Sequence, residues 1–320
     1  MTRILNAESA GYDPGARQLL SAWAEVIDAD LDRDGLIDAL GEVDAVIVRL
    51  RTKIDQEVLE AGGDRLRVLV TATTGLDHVD LDAAEASGVT VLSLKGETEF
   101  LRTIVATAEH TWALLLGLVR RLPAAAAAGA QGATVADRDR YRGGELGGAT
   151  LGVVGLGRIG SIVATYGQAF GMDVIAHDPH VSTAPSGVVM VDDLHTLCAR
   201  SDVVSIHVPL DQSTTGLIDR AALEAIGPTG RIVNTSRGAV VDEDALCDLL
   251  ESGGLGGAAL DVVVEERETA TRRLAEIATA GDNVLITPHI GGATHESMTK
   301  TERFMAEKLR RWMMQNPQEP

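Results

Sequence analysis

The segment at residues 149–160 (ATLGVVGLGRIG) constrains the fold of this chain more than any other stretch. It is typical of a buried strand at 151–154, followed by a glycine turn and the start of a helix, with the spacing G-x-G-x-x-G. In such a turn Gly155 makes the tight bend, Gly157 lets the backbone approach a pyrophosphate, and Gly160 lets helix and strand pack closely. The segment predicts a dinucleotide-binding unit, and a purely structural glycine turn is the alternative.

The residues around this turn also indicate which dinucleotide binds. Arg158 and Ile159 begin the predicted helix, whose free N–H groups and dipole favour phosphates. The next predicted strand, 173–177, ends in Asp178, close to the ~20-residue offset of the acid that binds a ribose 2′-hydroxyl. A carboxylate there repels a 2′-phosphate, and no Arg or Lys follows it closely. We therefore expect NAD rather than NADP.

The composition argues against several kinds of partner. There are 47 acidic and 28 basic residues, so the net charge of −19 disfavours nucleic acid and anionic membrane surfaces. The longest apolar run, 112–119, is too short to span a bilayer. Cys198 and Cys247 lack metal-ligand spacing, and no signal peptide is recognised. We expect a cytoplasmic protein without a metal site.

The pattern of apolar runs indicates the fold class. The 320 residues have room for about two domains. From residue 151 on, apolar runs alternate with stretches long enough to cross over as helices, which is typical of a parallel sheet buried on both faces. The strands expected in this half are 151–154, 173–177, 202–208, 231–235, 258–263 and 284–287. Those expected before it are 3–6, 45–48, 68–71 and 89–92.

A long apolar helix is predicted between these halves, at 105–122, where Pro123 is expected to stop it. Residues 95–103 before it are expected to be a polar connector, and residues 124–148 after it an outer loop or a loosely held helix. Residues 302–314 have the spacing of a last amphipathic helix. The helix at 105–122 marks the expected crossing between two domains.

Two strand ends near the start of the chain carry candidate substrate groups. Arg49, Arg51 and Lys53 follow the strand at 45–48, and open α/β sheets bind ligands outside the carboxyl ends of their strands. These three cations, here called the cation segment, form a candidate anion site, and a solvated basic loop is the alternative. Small residues that can offer backbone N–H groups to a carboxylate follow the strand at 68–71, with an ordinary turn as the alternative: Thr73, Thr74 and Gly75.

Three later strand ends carry side chains that form a chemical set: Arg237, an acid near residue 265, and His289. An Arg guanidinium can clamp a carboxylate with two hydrogen bonds, and a His can give or take a proton near neutral pH. An acid beside the His holds the imidazole in one tautomer and favours its protonated form. Beside a nicotinamide, this set suits hydride transfer to a 2-oxo acid.

The motifs together resemble the D-isomer-specific 2-hydroxyacid dehydrogenases, most closely the 3-phosphoglycerate dehydrogenase branch. The resemblance covers nearly the whole chain and rests on residues 46–53, 75–80, 108–116, 151–160, 177–179, 202–210, 234–246, 259–262 and 287–292. It implies an α/β protein with two Rossmann-like, doubly wound parallel-sheet domains, in a short form without a regulatory domain. An NAD-binding domain at 105–290 would be inserted in a discontinuous substrate domain at 1–104 and 291–320.

The resemblance also implies a role for each member of the chemical set. Arg237 would bind the substrate carboxylate and polarise the 2-oxo group. His289 would exchange a proton with the 2-hydroxyl, oriented by Glu266. Because Arg267 stands where the family usually has proline, Glu265 is the rival acid.

Cofactor and substrate residues carry over in the same way. Asp261 would lie at the nicotinamide carboxamide, and His207 near the cofactor, with a core histidine as the alternative. Arg49 and Arg51 match a segment that helps to hold a phosphate in the phosphoglycerate branch, and Thr73–Gly75 matches the substrate side. The remaining cofactor residues implied are Val208, Pro209, Thr214, Thr235, Ser236 and Gly291.

These features together predict an NAD-dependent D-2-hydroxyacid dehydrogenase, an oxidoreductase acting on CH–OH groups of a small 2-hydroxy or 2-oxo acid. A phosphate or phosphonate on the substrate is expected from the cation segment. A glyoxylate- or hydroxypyruvate-type reductase of unphosphorylated acids is the runner-up, and an NAD(H)-sensing binding module is the alternative from another class.

Two further expectations come from the resemblance. The connector at 93–107 departs from the family pattern, so Lys95 or Arg102 is a further candidate for substrate contact. In the family, the helix that matches residues 112–118 pairs two nucleotide domains, so a homodimer is expected. Packing of that apolar stripe inside one subunit is the alternative.

Overall fold

The structure is a computed structural model that describes residues 1–264, 272–281 and 283–317. The chain divides into two compact units, Met1–Ile104 with Ala293–Pro320 and, separately, Val105–Gly292. Each unit contains a parallel sheet with helices on both faces, which confirms the expected fold class. Gly291 and Gly292, expected in the substrate domain, belong to the second unit, where the Gly291 N–H donates to Asp261 Oδ2 at 2.7 Å.

Strands and helices are numbered along the chain. The strands are β1 (Arg3–Asn6), β2 (Glu25–Asp28), β3 (Ala45–Val48), β4 (Val68–Thr71), β5 (Thr90–Leu92), β6 (Thr150–Val154), β7 (Asp173–His177), β8 (Val188–Met190), β9 (Val203–Ile206), β10 (Arg231–Asn234), β11 (Gly257–Leu260) and β12 (Val284–Ile286). The helices are α1 (Pro14–Ser21), α2 (Arg33–Leu40), α3 (Gln56–Ala61), α4 (Leu81–Ala86), α5 (Thr98–Leu101), α6 (Ala106–Val119), α7 (Leu122–Ala130), α8 (Arg158–Ala169), α9 (Leu194–Ala199), α10 (Arg220–Ile226), α11 (Glu243–Ser252), α12 (Arg272–Ala280) and α13 (His295–Gln315).

The sheet of the first unit has the order β2-β1-β3-β4-β5, and its described pairs are all parallel. Side chains alternate between its faces, so Ile4 and Ile47 pack with α1 and α13, whereas Leu5 and Val46 pack with α2, α3 and α4. The strand order reverses between β1 and β3. The carboxyl ends of the strands at such a switch point are where open α/β sheets bind ligands.

The sequence located some elements of this unit and missed others. The predicted bounds of β1, β3 and β4 are confirmed. β2 was not expected because it is a half-exposed edge strand without a continuous apolar run. The expected polar connector at 95–103 contains α5, because Leu101 is buried in the core of the unit.

The sheet of the second unit has the order β8-β7-β6-β9-β10-β11-β12, again with its described pairs parallel. Its switch point lies between β6 and β9. Helices α6 and α8 pack on one face, and α9 to α12 on the other. The predicted glycine turn therefore follows the central strand of a doubly wound sheet, at the edge where nucleotides bind.

The helix expected at 105–122 is shorter than predicted and Pro123 does not stop it. α6 ends at Val119, the chain turns at Arg121 with a φ of 52°, and α7 then begins at Leu122. Proline is tolerated in the first turn of α7, because the N–H that it lacks would have no helical acceptor there. α7 has no buried residue, as expected of a loosely held helix within 124–148.

The apolar stripe of α6 packs inside the second unit. Trp112, Leu115 and Leu118 are each at most 5% exposed and belong to the core on that face of the sheet. This burial agrees with the alternative interpretation, in which the stripe packs inside one subunit. The stripe therefore does not by itself indicate a dimer. In the described part of the chain, no single helix is long and apolar enough to cross a membrane; only the bent pair Thr98–Val119 and Leu122–Ala130 reaches that length and composition together.

Candidate active site

The three glycines of the turn after β6 have different surroundings. Gly155 has a φ of +88°, and a Cβ there would lie 2.8 Å from Val208 Cγ1. A Cβ on Gly160 would collide with the carbonyl oxygen of Gly155. A Cβ on Gly157 would meet no described atom within 4 Å. Gly155 and Gly160 are therefore required by the protein's own packing, whereas Gly157 leaves open space over the start of α8.

The first turn of α8 fits a pyrophosphate group. The helix begins after Gly157, and no side chain among the described residues caps its N-terminal N–H groups. Such N–H groups, at the positive end of a helix dipole, favour anions. Burial lowers the pKa of Arg158 below its usual value. The open space at Gly157 and the N–H groups of the first helical turn together suit the diphosphate of a dinucleotide.

Asp178 is fixed beside the same turn. Its Oδ2 accepts a hydrogen bond from the Leu156 N–H at 2.8 Å, and its Oδ1 accepts one from the His180 N–H at 2.8 Å. The carboxylate is therefore held next to the glycine turn, at the end of β7. This position suits an acid that binds a ribose hydroxyl and repels a 2′-phosphate.

The residues after β9 line the other side of this switch point. The His207 N–H donates to the Val154 carbonyl at 2.8 Å, and its Nε2 lies 2.8 Å from the Ser205 hydroxyl. Burial lowers the pKa of His207 to about 3, so the imidazole is neutral and cannot act as an acid near neutral pH. Its contacts agree with the alternative of a structural histidine.

The remaining residues of this loop are ordered by Thr214. Its hydroxyl donates to the Pro209 carbonyl at 2.7 Å and accepts from the Asp211 N–H at 2.8 Å. The hydroxyl thus closes the turn that starts at Pro209. Val208 packs against Gly155, next to the predicted pyrophosphate position.

Arg237 emerges from a tight turn after β10. Asn234 is buried, and its Nδ2 donates to the Arg237 carbonyl at 2.9 Å. The Asn234 Oδ1 accepts from both the N–H and the hydroxyl of Ser236, at 3.0 and 2.8 Å. Arg237 itself is half-buried and also donates to the Ser236 carbonyl at 2.8 Å. The turn fixes where the guanidinium leaves the sheet.

The chain after β11 runs directly past this turn. A Cβ on Gly238 would collide with the backbone of Val263 and Val264. The Val264 N–H donates to Glu243 Oε2 at 2.8 Å. The predicted catalytic Glu266 and its rival Glu265 follow immediately and lie outside the described residues.

Asp261 is the centre of a buried hydrogen-bond network, here called the Asp261 network. Its side chain is 1% exposed. Oδ1 lies 2.6 Å from the Thr287 hydroxyl, 2.9 Å from the Ile290 N–H and 3.1 Å from His110 Nε2. Oδ2 accepts from the Gly291 N–H at 2.7 Å. A buried carboxylate is stable in this position because donors surround it.

The Asp261 network holds the turn that carries His289. The His289 N–H donates to the Asp261 carbonyl at 2.9 Å, and the residue has a φ of +53°. Only a few per cent of non-glycine residues adopt this left-handed conformation. It persists where several surrounding contacts hold the backbone in place. The network supplies those contacts on both sides of His289.

Helix α6 contributes two residues that the sequence did not identify as functional. His110 Nε2 lies 3.0 Å from the Thr287 hydroxyl as well as 3.1 Å from Asp261 Oδ1. The hydroxyl of the next residue, Thr111, lies 2.9 Å from the Thr235 hydroxyl. Adjacent residues of one helix therefore connect the loops after β10, β11 and β12. The signal in the sequence is a polar stripe on an apolar helix at positions 107, 110 and 111.

Comparison with known proteins assigns the family. A family model described as "D-isomer specific 2-hydroxyacid dehydrogenase, NAD binding domain" matches residues 112–291, more than half of the chain. The chain belongs to this family. The resemblance stated from the motifs is confirmed, and the second unit of this dehydrogenase-family chain is its NAD-binding domain.

Relatives of known name agree. D-3-phosphoglycerate dehydrogenase of Mycobacterium bovis is 41% identical over 281 residues, which are 87% of this chain but 51% of that protein. The chain thus spans about half the length of this relative. The TT0316 protein from Thermus thermophilus is 32% identical with a TM-score of 0.85, covering 98% of this chain and 97% of that one. D-lactate dehydrogenase from Aquifex aeolicus, complexed with NAD and lactic acid, is 28% identical with a TM-score of 0.82, covering 98% and 96%.

The residues expected on the substrate side belong to the first unit, and there the cation segment is largely paired with acids. Arg49 Nη2 lies 2.6 Å from Oε1 of Glu302, whose side chain is 1% exposed, and Nη1 donates to the Ala10 carbonyl at 2.8 Å. Arg51 Nη2 lies 3.4 Å from Asp30 Oδ1, and both side chains are more than 40% exposed. Arg49 is therefore an anchored residue, and Arg51 and Lys53 are the exposed cations of the segment.

The strand end at Thr73 is an internally bonded turn. The Thr73 hydroxyl donates to the Gly75 carbonyl at 2.8 Å and lies 3.1 Å from the Thr71 hydroxyl, while Thr74 is exposed. Of the two connector cations, Arg102 pairs with the exposed Glu99 at 3.2 Å. Lys95 is exposed.

Proposed function

We propose that this chain catalyses reversible, NAD-dependent hydride transfer to the C2 atom of a small 2-oxo acid, giving a D-2-hydroxy acid. The observation that supports this most is the joining of three strand-end loops by adjacent residues of α6, His110 and Thr111. Those loops carry Arg237, Asp261 and His289. Family membership and the NAD-complexed D-lactate dehydrogenase neighbour support the same reaction.

Each residue has a separate role in the proposed reaction. NAD, when bound, supplies or accepts the hydride at the nicotinamide. Arg237 binds the substrate carboxylate through two hydrogen bonds and polarises the 2-oxo group. His289 gives a proton to the carbonyl oxygen during reduction and takes it back during oxidation. Glu266, with Glu265 as its rival, orients the imidazole.

The first unit supplies the substrate-binding residues in this proposal, and the substrate carries a second anionic group. Arg51 and Lys53 are the exposed cations that can bind a phosphate or phosphonate, whereas the guanidinium of Arg49 is held by Glu302. The similarity to D-3-phosphoglycerate dehydrogenase supports a phosphorylated acid. The backbone N–H groups of Thr74 and Gly75 are the first unit's candidate donors to a substrate carboxylate.

A reductase of unphosphorylated acids is the second candidate. The pairing of Arg49 with Glu302 and of Arg51 with Asp30 favours it, because it leaves the cation segment nearly neutral. The D-lactate dehydrogenase neighbour, which holds lactic acid, also favours it. The deciding experiment measures NADH oxidation across 2-oxo acids with and without a phosphoryl or phosphonyl group. Turnover of none of them, together with tight NADH binding, would instead support an NAD(H)-sensing module.

Cofactor choice is part of the same proposal. The fixed carboxylate of Asp178 favours NAD over NADP. We expect a larger kcat/KM with NADH than with NADPH, and the opposite order would contradict the role given to Asp178.

A cytoplasmic homodimer that pairs through the NAD-binding domain completes the proposal. The apolar stripe of α6 is buried within the domain, but α7 has no buried residue and its Leu122 is 58% exposed. We therefore expect Leu122→Glu to shift the protein toward a monomer in light scattering. An unchanged mass for that variant would place the contact elsewhere.

A further inference from the structure

We propose that His110 is a positioning residue for the cofactor: it orients the carboxylate of Asp261 so that Oδ2 can accept a hydrogen bond from the nicotinamide carboxamide. The inference rests on NAD binding by this domain and goes beyond the proposed reaction. It is carried by the way in which donors are shared between the two oxygens of Asp261.

The donors on Asp261 are distributed unevenly. Oδ1 has three donors, the Thr287 hydroxyl, the Ile290 N–H and His110 Nε2. Oδ2 has a single described donor, the Gly291 N–H. A carboxylate oxygen has two lone pairs. Oδ1 is therefore saturated, and Oδ2 is the oxygen with capacity for a further N–H donor.

His110 differs from the other donors in its origin. Thr287, Ile290 and Gly291 all belong to the turn that carries His289, so that turn and the carboxylate can shift together. His110 belongs to α6, and the neighbouring Thr111 and Trp112 are buried in the domain at 1% and 5% exposure. Among the described donors to Asp261, it is the one fixed outside the turn.

The geometry also assigns the tautomer of His110. The Thr287 hydroxyl donates to Asp261 Oδ1 at 2.6 Å, so towards His110 it is an acceptor. Asp261 accepts as well, so Nε2 must carry the hydrogen that both oxygens share. The imidazole thereby ties the carboxylate and the turn to the helix at one atom.

The backbone of Gly291 lies close to Oδ2. A Cβ on Gly291 would lie 2.8 Å from Oδ2 and 3.6 Å from His110 Cδ2. Rotation of the carboxylate would move Oδ2 away from the Gly291 N–H. The His110 contact opposes this rotation, and its loss should therefore weaken any ligand bond to Oδ2 specifically.

The test compares two reduced cofactors by calorimetry without substrate. NADH carries the carboxamide N–H donors, whereas its 3-acetylpyridine analogue has a methyl group in their place. We expect wild type to bind NADH more tightly than the analogue. His110→Leu should weaken NADH about tenfold and the analogue by less than about twofold, as expected for loss of one hydrogen bond to a charged group.

Two variants serve as matched controls. His110→Gln should keep the wild-type ratio of the two affinities, because its amide nitrogen can donate from near the position of Nε2. Glu109→Ala changes the exposed neighbour on the same helix turn and should leave both affinities unchanged. Thermal melting of each variant confirms that the domain is folded.

Three results would overturn the proposal: equal weakening of both cofactors in His110→Leu, no weakening of either, or a wild-type protein that does not distinguish them. Because the affinities for NADH and for the analogue are compared in the same variant, a general loss of stability affects both and cancels in their ratio. If His110→Leu does not fold, His110→Asn decides in its place, since its shorter amide cannot reach the position of Nε2 and should reduce the ratio that His110→Gln preserves. Because binding is measured without turnover, failure of the proposed reaction would appear separately, as lack of activity in a protein with the expected ratio.

Discussion

The carboxyl edges of the two sheets handle buried charge in different ways. In the second unit, the buried carboxylate of the Asp261 network is surrounded by neutral donors and His110, and the side chains predicted for chemistry leave the sheet on either side of it. In the first unit, the buried carboxylate of Glu302 is instead balanced by an opposite charge, the guanidinium of Arg49. One edge is organised by hydrogen bonds from loops, and the other by ion pairs.

This difference bears on what each edge can recognise. The donors of the Asp261 network fix one geometry, which suits a cofactor of constant shape. At the switch point of the first unit, buried Asn6 Oδ1, Glu8 Oε1 and Arg49 Nε have no described hydrogen-bond partner. Buried polar atoms without protein partners are normally satisfied by solvent or ligand. Under the proposed function, these atoms are candidates for contact with solvent or substrate in the first unit.

The largest effect is expected from His289→Ala, which tests the carboxyl edge of the second unit's sheet. Removing a general acid–base group should lower kcat for 2-oxo acid reduction by about 10²- to 10⁴-fold. NADH affinity should change little, because backbone groups of the turn, not the imidazole, bind Asp261. Steady-state rates and calorimetric NADH binding measure the two effects.

His207→Asn is the matched control for that experiment. Burial lowers the pKa of His207 to about 3, so its neutral imidazole does not titrate where the enzyme works. The variant should therefore keep the wild-type pH profile of kcat/KM. A His289→Ala variant with near-normal kcat, or a His207→Asn variant with a shifted profile, would contradict the roles given to these residues.

The ion-paired edge is tested by Arg49→Met. Breaking a buried ion pair leaves Glu302 uncompensated and should lower the free energy of unfolding by about 3 kcal/mol. Burial already raises the pKa of Glu302, so the folded state binds this proton more tightly than the unfolded chain. The loss of unfolding free energy in Arg49→Met should therefore become smaller as the pH falls through the pKa of Glu302, because protonation removes the uncompensated charge. Chemical denaturation at several pH values measures it.

The double variant Arg49→Met with Glu302→Gln is the control for this prediction. It removes both charges but keeps an acceptor for the Asp13 N–H, which donates to Glu302 at 2.6 Å. It should recover most of the lost stability. A loss as large as that of the single variant would mean that the pair acts through packing rather than charge.

Local sequence patterns predicted the elements that are buried on both faces. The bounds of β3 and β4 follow from short, largely apolar runs, because central parallel strands need no polar face. Those of β1 and β7 were also predicted, although a polar residue stands at each of their ends. The edge strands β2 and β8 escaped prediction because they are half-exposed and short. The roles of the glycines were also predictable, since they depend on the turn itself.

The pairings that organise the site could not be predicted in this way. The contact of His110 with Asp261 joins residues 151 positions apart, and that of Arg49 with Glu302 joins residues 253 apart. A single sequence identifies neither partner, because helix periodicity reports which face is buried but not what it meets. The cation segment was therefore predicted as an anion site without the acids that neutralise it.

Two glycines of the turn after β6, Gly157 and Gly160, can be compared with each other. Gly157→Ala should weaken NADH binding about tenfold while leaving the melting temperature nearly unchanged, because the methyl group meets only the open space meant for the pyrophosphate. Gly160→Ala should instead destabilise the domain, because its methyl group collides with the Gly155 carbonyl. Calorimetry and thermal melting separate the two. Loss of stability in Gly157→Ala would remove the argument that this position serves the ligand.

The smallest expected effect concerns the exposed part of the cation segment. Arg51→Ala should raise KM for a phosphorylated 2-oxo acid several-fold, to about tenfold, and leave unphosphorylated acids almost unaffected. Stability should barely change, because exposed ion pairs such as Arg51 with Asp30 contribute about 0–1 kcal/mol. Asp30→Asn is the counterpart: releasing Arg51 should lower KM for the phosphorylated acid alone. Equal effects of either variant on both substrate classes would show that this edge does not distinguish them, and would favour the reductase of unphosphorylated acids.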